Sequence, residues 1–237
     1  MGKIGKRIFY PLCVVALVCS MLFSTLPKSA RNQAFVSVSE GSAAVAAVSQ
    51  GGQAVLITDF NEYDSVHNGV SFLQKFKLTG CTLYISDCSK ATAPALELVC
   101  NLPIDRVYIL GADDSELVET QFAKRGVQVL HQLPNSTTGN TVKVQSYFAA
   151  GLVGVSIAVD KIDICVVYGD NDRVSGTLAS GISADLFVLP DVKTTPTQID
   201  AVTLTPYQSK LNLNYGANKY GNFTIGQKGG KMYLSFR

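Results

Sequence analysis

The 237-residue sequence predicts a strand-rich α/β protein in which two mixed sheets pack face to face with helices outside. Three observations predict it. Hydrophobic residues make up 47% of the chain and charged residues 16%, enough for one substantial core and too apolar for disorder. Between residues 54 and 131, short apolar runs alternate with helical patterns. After Asn140 the pattern is strand-only, so two β-rich halves flank the helices, unlike a doubly wound sheet with its regular crossovers.

Residues 1–31 form a separate segment. Lys3, Lys6 and Arg7 precede the apolar run IFYPLCVVALVCSMLF, which Leu26 extends to 19 residues, a marginal membrane span. A cleavable secretory signal is the competing reading, but neither a cut after Ala30 nor one after Ser29 satisfies the small-x-small requirement, because Lys28 or Pro27 falls two positions earlier. An uncleaved, single-pass anchor in the cell membrane is therefore expected. The three leading cations against Lys28 and Arg31 place the amino terminus in the cytoplasm and residues 32–237 outside; cleavage would instead secrete them.

AFVSV (34 to 38), AAVAAV (43 to 48) and AVLIT (54 to 58) read as a meander with turns at Glu40-Gly41 and Gly51-Gly52. A helix follows from Asp64 or Ser65 to about Lys77, striped by Val66, Val70, Phe72, Leu73 and Phe76, with Gly80 as its stop. Then come strand 81 to 86, helix 90 to 100, strand 106 to 110, helix 114 to 125 and strand 127 to 131. The strand-only half holds TVKVQSYFAA, GVSIAV, DICVVYG, ADLFVLP, AVTLTP, KLNLNYG and MYLSF, with NSTTG (135 to 139) as the clearest loop.

Charge divides unevenly. Residues 32 to 200 carry 10 Lys or Arg against 18 Asp or Glu, whereas nothing after Asp200 is acidic. Lys210, Lys219, Lys228 and Lys231 interleave there with Tyr and Phe, a combination that can hold single-stranded DNA. Alternating strands with solvated lysines explain the same pattern more simply. Cys81, Cys88, Cys100 and Cys165 permit three disulfide pairings in an oxidising compartment, but none of their spacings matches a zinc site, and Cys81 and Cys165 read as inert buried thiols.

Several strings resemble, in order, the metallo-β-lactamase-like domain that closes ComEC-type DNA-uptake competence proteins. The likeness spans residues 34 to 236. VSVSEGSA (36 to 43) is similar to LDVGQGDA, VLITDF (55 to 60) to VLIDGG, and ISDCSKATAPAL (85 to 96) to LTHPHADHIGGL. VVYGD (166 to 170) resembles LLTGD, DLFVLPDVK (185 to 193) resembles DVLKVGHHG, GANKYGN (216 to 222) resembles GANNRYGHP, and TIGQKGGKMYLSF resembles the closing hairpin. The resemblance implies an αββα four-layer sandwich with metals at the sheet edges.

In that family, H-x-H-x-D-H supplies imidazoles and a carboxylate to metals that activate water. Here those positions hold Asp87, Ser89, Ala91 and Thr92; the later His pair falls on Asp191 and Val192, and the last His on Asn222. Asp170 aligns with a metal-bridging carboxylate. Most ligands are thus replaced, which implies a vestigial cleft, no catalytic residue, and a pseudo-enzyme without cofactor. Weak Mg²⁺ or Ca²⁺ binding by Asp87, Asp170 and Asp191 is the lesser reading, since a solvated turn explains G-D-N-D equally well. His67 and His131 lie outside the matched strings and read as surface or hydrogen-bonded residues. The clustered acids Asp113, Asp114, Glu116 and Glu119 suit a helix amino terminus better than paired catalysis.

The expected function is a binding or structural role in DNA uptake, with single-stranded DNA or separate competence-channel subunits as partners, because the chain has no polytopic channel of its own. The rivals are a hydrolase or nuclease with a rebuilt metal site and a cell-surface binding module unrelated to DNA.

Overall fold

The computed structural model describes residues 32–111, 115–131, 142–149, 152–159, 161–169, 182–192, 201–208, 213–228 and 231–236. The anchor segment, Asp113, Asp114, the NSTTG loop, Asp170 and Lys210 lie outside them. Among the described residues no helix is long and apolar enough to cross a membrane.

The chain begins with the expected meander, β1 (Gln33–Ser39), β2 (Ser42–Val48) and β3 (Gln53–Thr58), paired antiparallel in sequence order. Gly52 turns the second hairpin at φ +79°, where its N–H donates to the Ser49 carbonyl at 2.9 Å. Three parallel strands follow β3 in the same sheet: β4 (Gly80–Ile85), β5 (Ile104–Ile109) and β6 (Gln128–Leu130). Their crossovers carry helices α1 (Tyr63–Leu73), α2 (Ala93–Val99) and α3 (Glu116–Ala123). Parallel neighbours need such crossovers, which accounts for the βα alternation in the sequence.

The second sheet comprises β7 (Val142–Ala149), β8 (Leu152–Val159), β9 (Ile162–Val167), β10 (Leu186–Val188), β11 (Val202–Thr205) and β12 (Asn214–Gly216). It runs β12-β11-β10-β9-β8-β7, parallel from β12 to β9 and antiparallel from β9 to β7. After the short helix α4 (Ala217–Tyr220), the chain returns to the first sheet. There β13 (Phe223–Lys228) pairs with β1 and β14 (Lys231–Phe236) forms the edge, giving the order β14-β13-β1-β2-β3-β4-β5-β6.

Period-two alternation places the two cores. Val36, Val45, Ile57 and Tyr84 on the first sheet face Ile157, Ile164, Val188 and Leu204 on the second. Their neighbours Phe35, Ala46, Leu56 and Leu83 point the other way and pack under the helices with Val70, Leu96 and Phe122. Small residues let that layer close tightly: a Cβ at Gly69 of α1 would stand 3.1 Å from Leu56 Cδ1 and 3.4 Å from Ala44 Cβ. On the outer face of the second sheet, Cys165, Val167, Phe187, Leu189 and Val192 form a third apolar cluster. The described residues thus hold two face-to-face mixed sheets and helices outside the first.

Two expectations are corrected. Helix α1 ends at Leu73, not Lys77, because Lys75 and Phe76 bond back three residues, to Phe72 and Leu73, tightening the chain into a turn. Phe76, which ended the apparent stripe, packs against the helix-side core from beyond the helix, as does Leu78. Gly80 is no helix stop but the first residue of β4, where a Cβ would meet Asp105 Oδ2 at 2.9 Å and Gln53 Oε1 at 3.1 Å.

Candidate functional site

The carboxyl ends of β3 and β4 in one sheet, and of β9 and β10 in the other, meet at a common edge. Side chains collect there because parallel strands end in loops that carry no ladder obligations. The Ser39–Ser42 turn enters the same place and ties the sheets together, Gly41 N–H donating to the Pro190 carbonyl at 3.0 Å.

The deepest group is Asp59, immediately after β3 and only 1% exposed. Its Oδ1 accepts from Ser42 Oγ at 2.7 Å and Asn61 N–H at 2.9 Å, and its Oδ2 accepts from Ala43 N–H at 2.7 Å. Burial nevertheless pushes its carboxyl up to about 6; the three bonds oppose the rise and the charge of Asp191 adds to it. The next residue, Phe60, buries its ring with the backbone at φ +56°, the left-handed region that a bulky residue seldom occupies.

Asp191, just beyond β10, is half-buried, and its Oδ2 accepts from Gly169 N–H at 2.6 Å. Tyr168, just after β9, stands near enough to both carboxyls to feel their charge. Its hydroxyl is buried close to Asp59 and Ser86 without a hydrogen bond of ordinary geometry to either. Burial first, then the charge of Asp59, holds this phenol well above its ordinary range. Asn61 donates from Nδ2 to the Gly41 carbonyl at 2.8 Å, which leaves its Oδ1 buried and unpartnered. Among the described residues, Asn61 Oδ1 and Tyr168 Oη are the buried side-chain polar atoms without a hydrogen-bond partner, and both lie at this edge.

Of the positions expected in the cleft, Asp191 stands in this cluster. Asp87 makes its bond within its own loop, accepting from Ser89 N–H at 2.7 Å. Ser89 and Thr92 are exposed, Thr92 preceding α2 without capping it through its side chain, and Ala91 packs against the helix-side core. Val192 is buried in the outer cluster of the second sheet. The described residues at these positions do not fit the metals of the resembled family: they offer no imidazole, and no three His, Cys, Asp or Glu among the described residues stand close enough to hold an ion.

The remaining candidates lie elsewhere. His131 pairs with Glu119 at 3.0 Å on the surface, and His67 stacks on Tyr63 with ring centroids 6.1 Å apart. Lys219 Nζ sits 4.9 Å from the Tyr220 ring centroid, Lys231 is exposed at the start of β14, and Lys228 faces it across the hairpin register. Much of the aromatic surface that could receive bases is used internally. Tyr220 stacks on Phe236 at 4.8 Å and Tyr215 meets both rings at 5.7 Å. Tyr233 and Phe236 keep 41% and 43% exposure. Cys81, Cys88, Cys100 and Cys165 form no disulfide; burial raises the Cys165 thiol to about 12 and Cys81 further.

Asp59, Asn61 and Tyr168 went unnoticed in the sequence. An acid closing an apolar strand usually reaches solvent, and the only local hint was VLITDF ending in an acid followed by Phe rather than by a glycine turn.

No protein-family model and no curated protein matches the chain. Among solved structures, it is similar to zinc-bound PqqB from Methylobacterium extorquens, with a TM-score of 0.45 and 12% identity, over 73% of this chain and 71% of that one. It is also similar to a zinc-dependent hydrolase of the metallo-β-lactamase superfamily from Thermotoga maritima, described there as a candidate, with a TM-score of 0.32 and 10% identity, over 72% and 88% of the respective chains.

Proposed function

We propose that this chain is a membrane-anchored, externally facing, non-catalytic domain on a metallo-β-lactamase-like scaffold, serving DNA uptake by binding rather than by hydrolysis. One observation carries the reading. Asp87, Ser89, Ala91, Thr92, Asp191 and Val192 stand where the resembled motif needs imidazoles and a carboxylate, and Val192 is buried as apolar packing. Water activation at neutral pH needs a metal held by strong donors with an open position. Serine, threonine, alanine and valine do not supply them. The anchor and the external location rest on residues 1–31, and the DNA role rests on the competence-protein resemblance together with the acid-free, lysine- and aromatic-rich segment after Asp200.

The test uses the purified full-length chain in detergent with Zn²⁺, Mn²⁺ or Mg²⁺ against DNA and a phosphodiester reporter. No metal-dependent cleavage is expected. Cleavage that disappears in Asp170→Ala would overturn the proposal in favour of a rebuilt hydrolytic site.

A further inference from the structure

We propose that the outer edge of β14 receives an extended segment of a partner protein as a further strand of the first sheet, and that this segment alternates acidic with apolar side chains. The inference goes beyond the DNA-uptake reading and does not rest on it.

The edge is open. β14 ends the eight-stranded sheet, pairing on one side with β13 and on the other with no described strand. None of its 6 residues is buried, whereas Phe223, Ile225 and Gly226 of β13 are. An edge strand turns the N–H and C=O groups of alternate residues away from its neighbour, a template on which another chain can pair. Proteins usually blunt such edges with proline, a bulge, short length or an inward-pointing charge. β14 carries none of these: it has no proline, its register against β13 is unbroken from Lys231 to Phe236, and its one charge, Lys231, is exposed. The opposite edge of the sheet, β6, has only 3 residues. Tyr233 also leaves the edge clear, because its ring folds inward across β13 into the space that a Cβ at Gly226 would take.

The two faces of β14 specify the newcomer. Period-two alternation turns Met232, Leu234 and Phe236 toward the second sheet and Lys231, Tyr233 and Ser235 outward. Met232 and Leu234 pack at the margin of the inter-sheet core. Phe236 stacks on Tyr220 at 4.8 Å yet stays 43% exposed. Apolar side chains at alternate positions of an added strand would continue that core and cover the ring. On the outward face, the register sets Lys231 directly opposite Lys228, and like charges so opposed are unfavourable. No carboxylate pairs with Lys231 among the described residues, and the sequence holds no acid after Asp200. A carboxylate beside Lys231 on the added strand would offset the repulsion. A second copy of β14 would add positive charge instead of balancing it, and single-stranded DNA has no peptide N–H and C=O with which to extend the ladder.

The probe is a fluorescein-labelled peptide of four Glu-Val repeats, titrated into the full-length chain in detergent and followed by fluorescence anisotropy, with hydrogen exchange of the complex to locate it. Saturable binding and new protection of β14 amides are expected. Lys231→Glu should weaken binding about tenfold, the scale of exchanging one favourable cross-strand charge pair for a repulsive one, and shift preference to a Lys-Val peptide. N-methylating alternate residues of the Glu-Val peptide, in each of the two phases, keeps its charges but removes the N–H donors. One phase should lose binding, which keeps the test decisive if the Lys231 variant folds poorly. No saturable binding, equal binding of both N-methylated peptides, or protection elsewhere than β14 would overturn the proposal. A doubling of mass that protects the same amides without peptide would assign the edge to a second copy, and protection by oligothymidylate with none by peptide would assign it to nucleic acid; either result overturns it.

Discussion

Asp59→Asn, measured across pH with EDTA present, isolates the most perturbed carboxyl at the shared edge. Burial lifts this group from 3.8 to about 6, a rise worth about 3 kcal/mol. The native state holds the Asp59 proton more tightly than the unfolded chain does. Its contribution to stability is therefore complete below pH 3.8 and is lost as the pH climbs through about 6. Asparagine removes the titration. It also replaces one acceptor with an N–H₂: with its oxygen toward Ser42 and Asn61, its Nδ2 would face the Ala43 N–H, which the native Oδ2 receives at 2.7 Å. A donor left facing a donor in a buried place costs ~1–3 kcal/mol. At pH 8 that loss roughly cancels the relief from a buried charge, so the two proteins should have similar stability. At pH 4 the wild type should exceed the variant, the gap having widened by ~2.4 kcal/mol. Urea unfolding at pH 4, 5, 6, 7 and 8 reads the difference directly, and parallel curves for the two proteins would refute the argument that Asp59 is desolvated.

Further outcomes follow from single positions. Gly52→Ala should cost more than ~2 kcal/mol, since a left-handed alanine alone costs ~1–2 kcal/mol and its Cβ would meet the Lys77 carbonyl oxygen at 2.8 Å; Gly126→Ala, also left-handed but with open space around it, should cost only ~1 kcal/mol. Equal urea midpoints would show that the Lys77 contact yields freely. Thiol labelling of the native protein, mapped by mass spectrometry, should reach half-exposed Cys100 well before buried Cys81 and Cys165, whose thiols burial holds protonated; comparable rates would contradict the packing around β4 and β9. If Lys210, Lys219, Lys228 and Lys231 all contact phosphates, single-stranded DNA affinity should fall about 50-fold between 50 and 200 mM salt, from a slope of about −0.7 per contact. A flat response would remove the nucleic-acid role.

The site was only partly legible. The resembled strings fall at the ends of β4, β9 and β10, and so at Asp191 and the loop of Asp87. They did not reveal that Asp87 serves its own loop through Ser89 N–H, or that Val192 belongs to the outer core. Asp59 escaped because its burial is imposed by chain segments remote from it: Ser42 and Ala43 at the start of β2, which cover it, and the segments after β9 and β10 that bring Tyr168 and Asp191 alongside. The run from Phe72 to Phe76 misled for a related reason, since an apolar residue just past a helix end, packed against the same core, mimics another helical turn.

Alternation, glycine placement and the change from βα units to strands alone are local properties of the chain. They suffice for the two mixed sheets, the meander and the parallel crossovers, because a residue's face follows from its parity along a strand and its turn from the backbone it can adopt. Partnership is not local. The return of β13 to pair with β1, the burial of Asp59, and its meeting with Tyr168 and Asp191 depend on register and packing between segments far apart in sequence. A carboxyl's solvation, unlike its strand position, is set by whatever the rest of the fold lays over it.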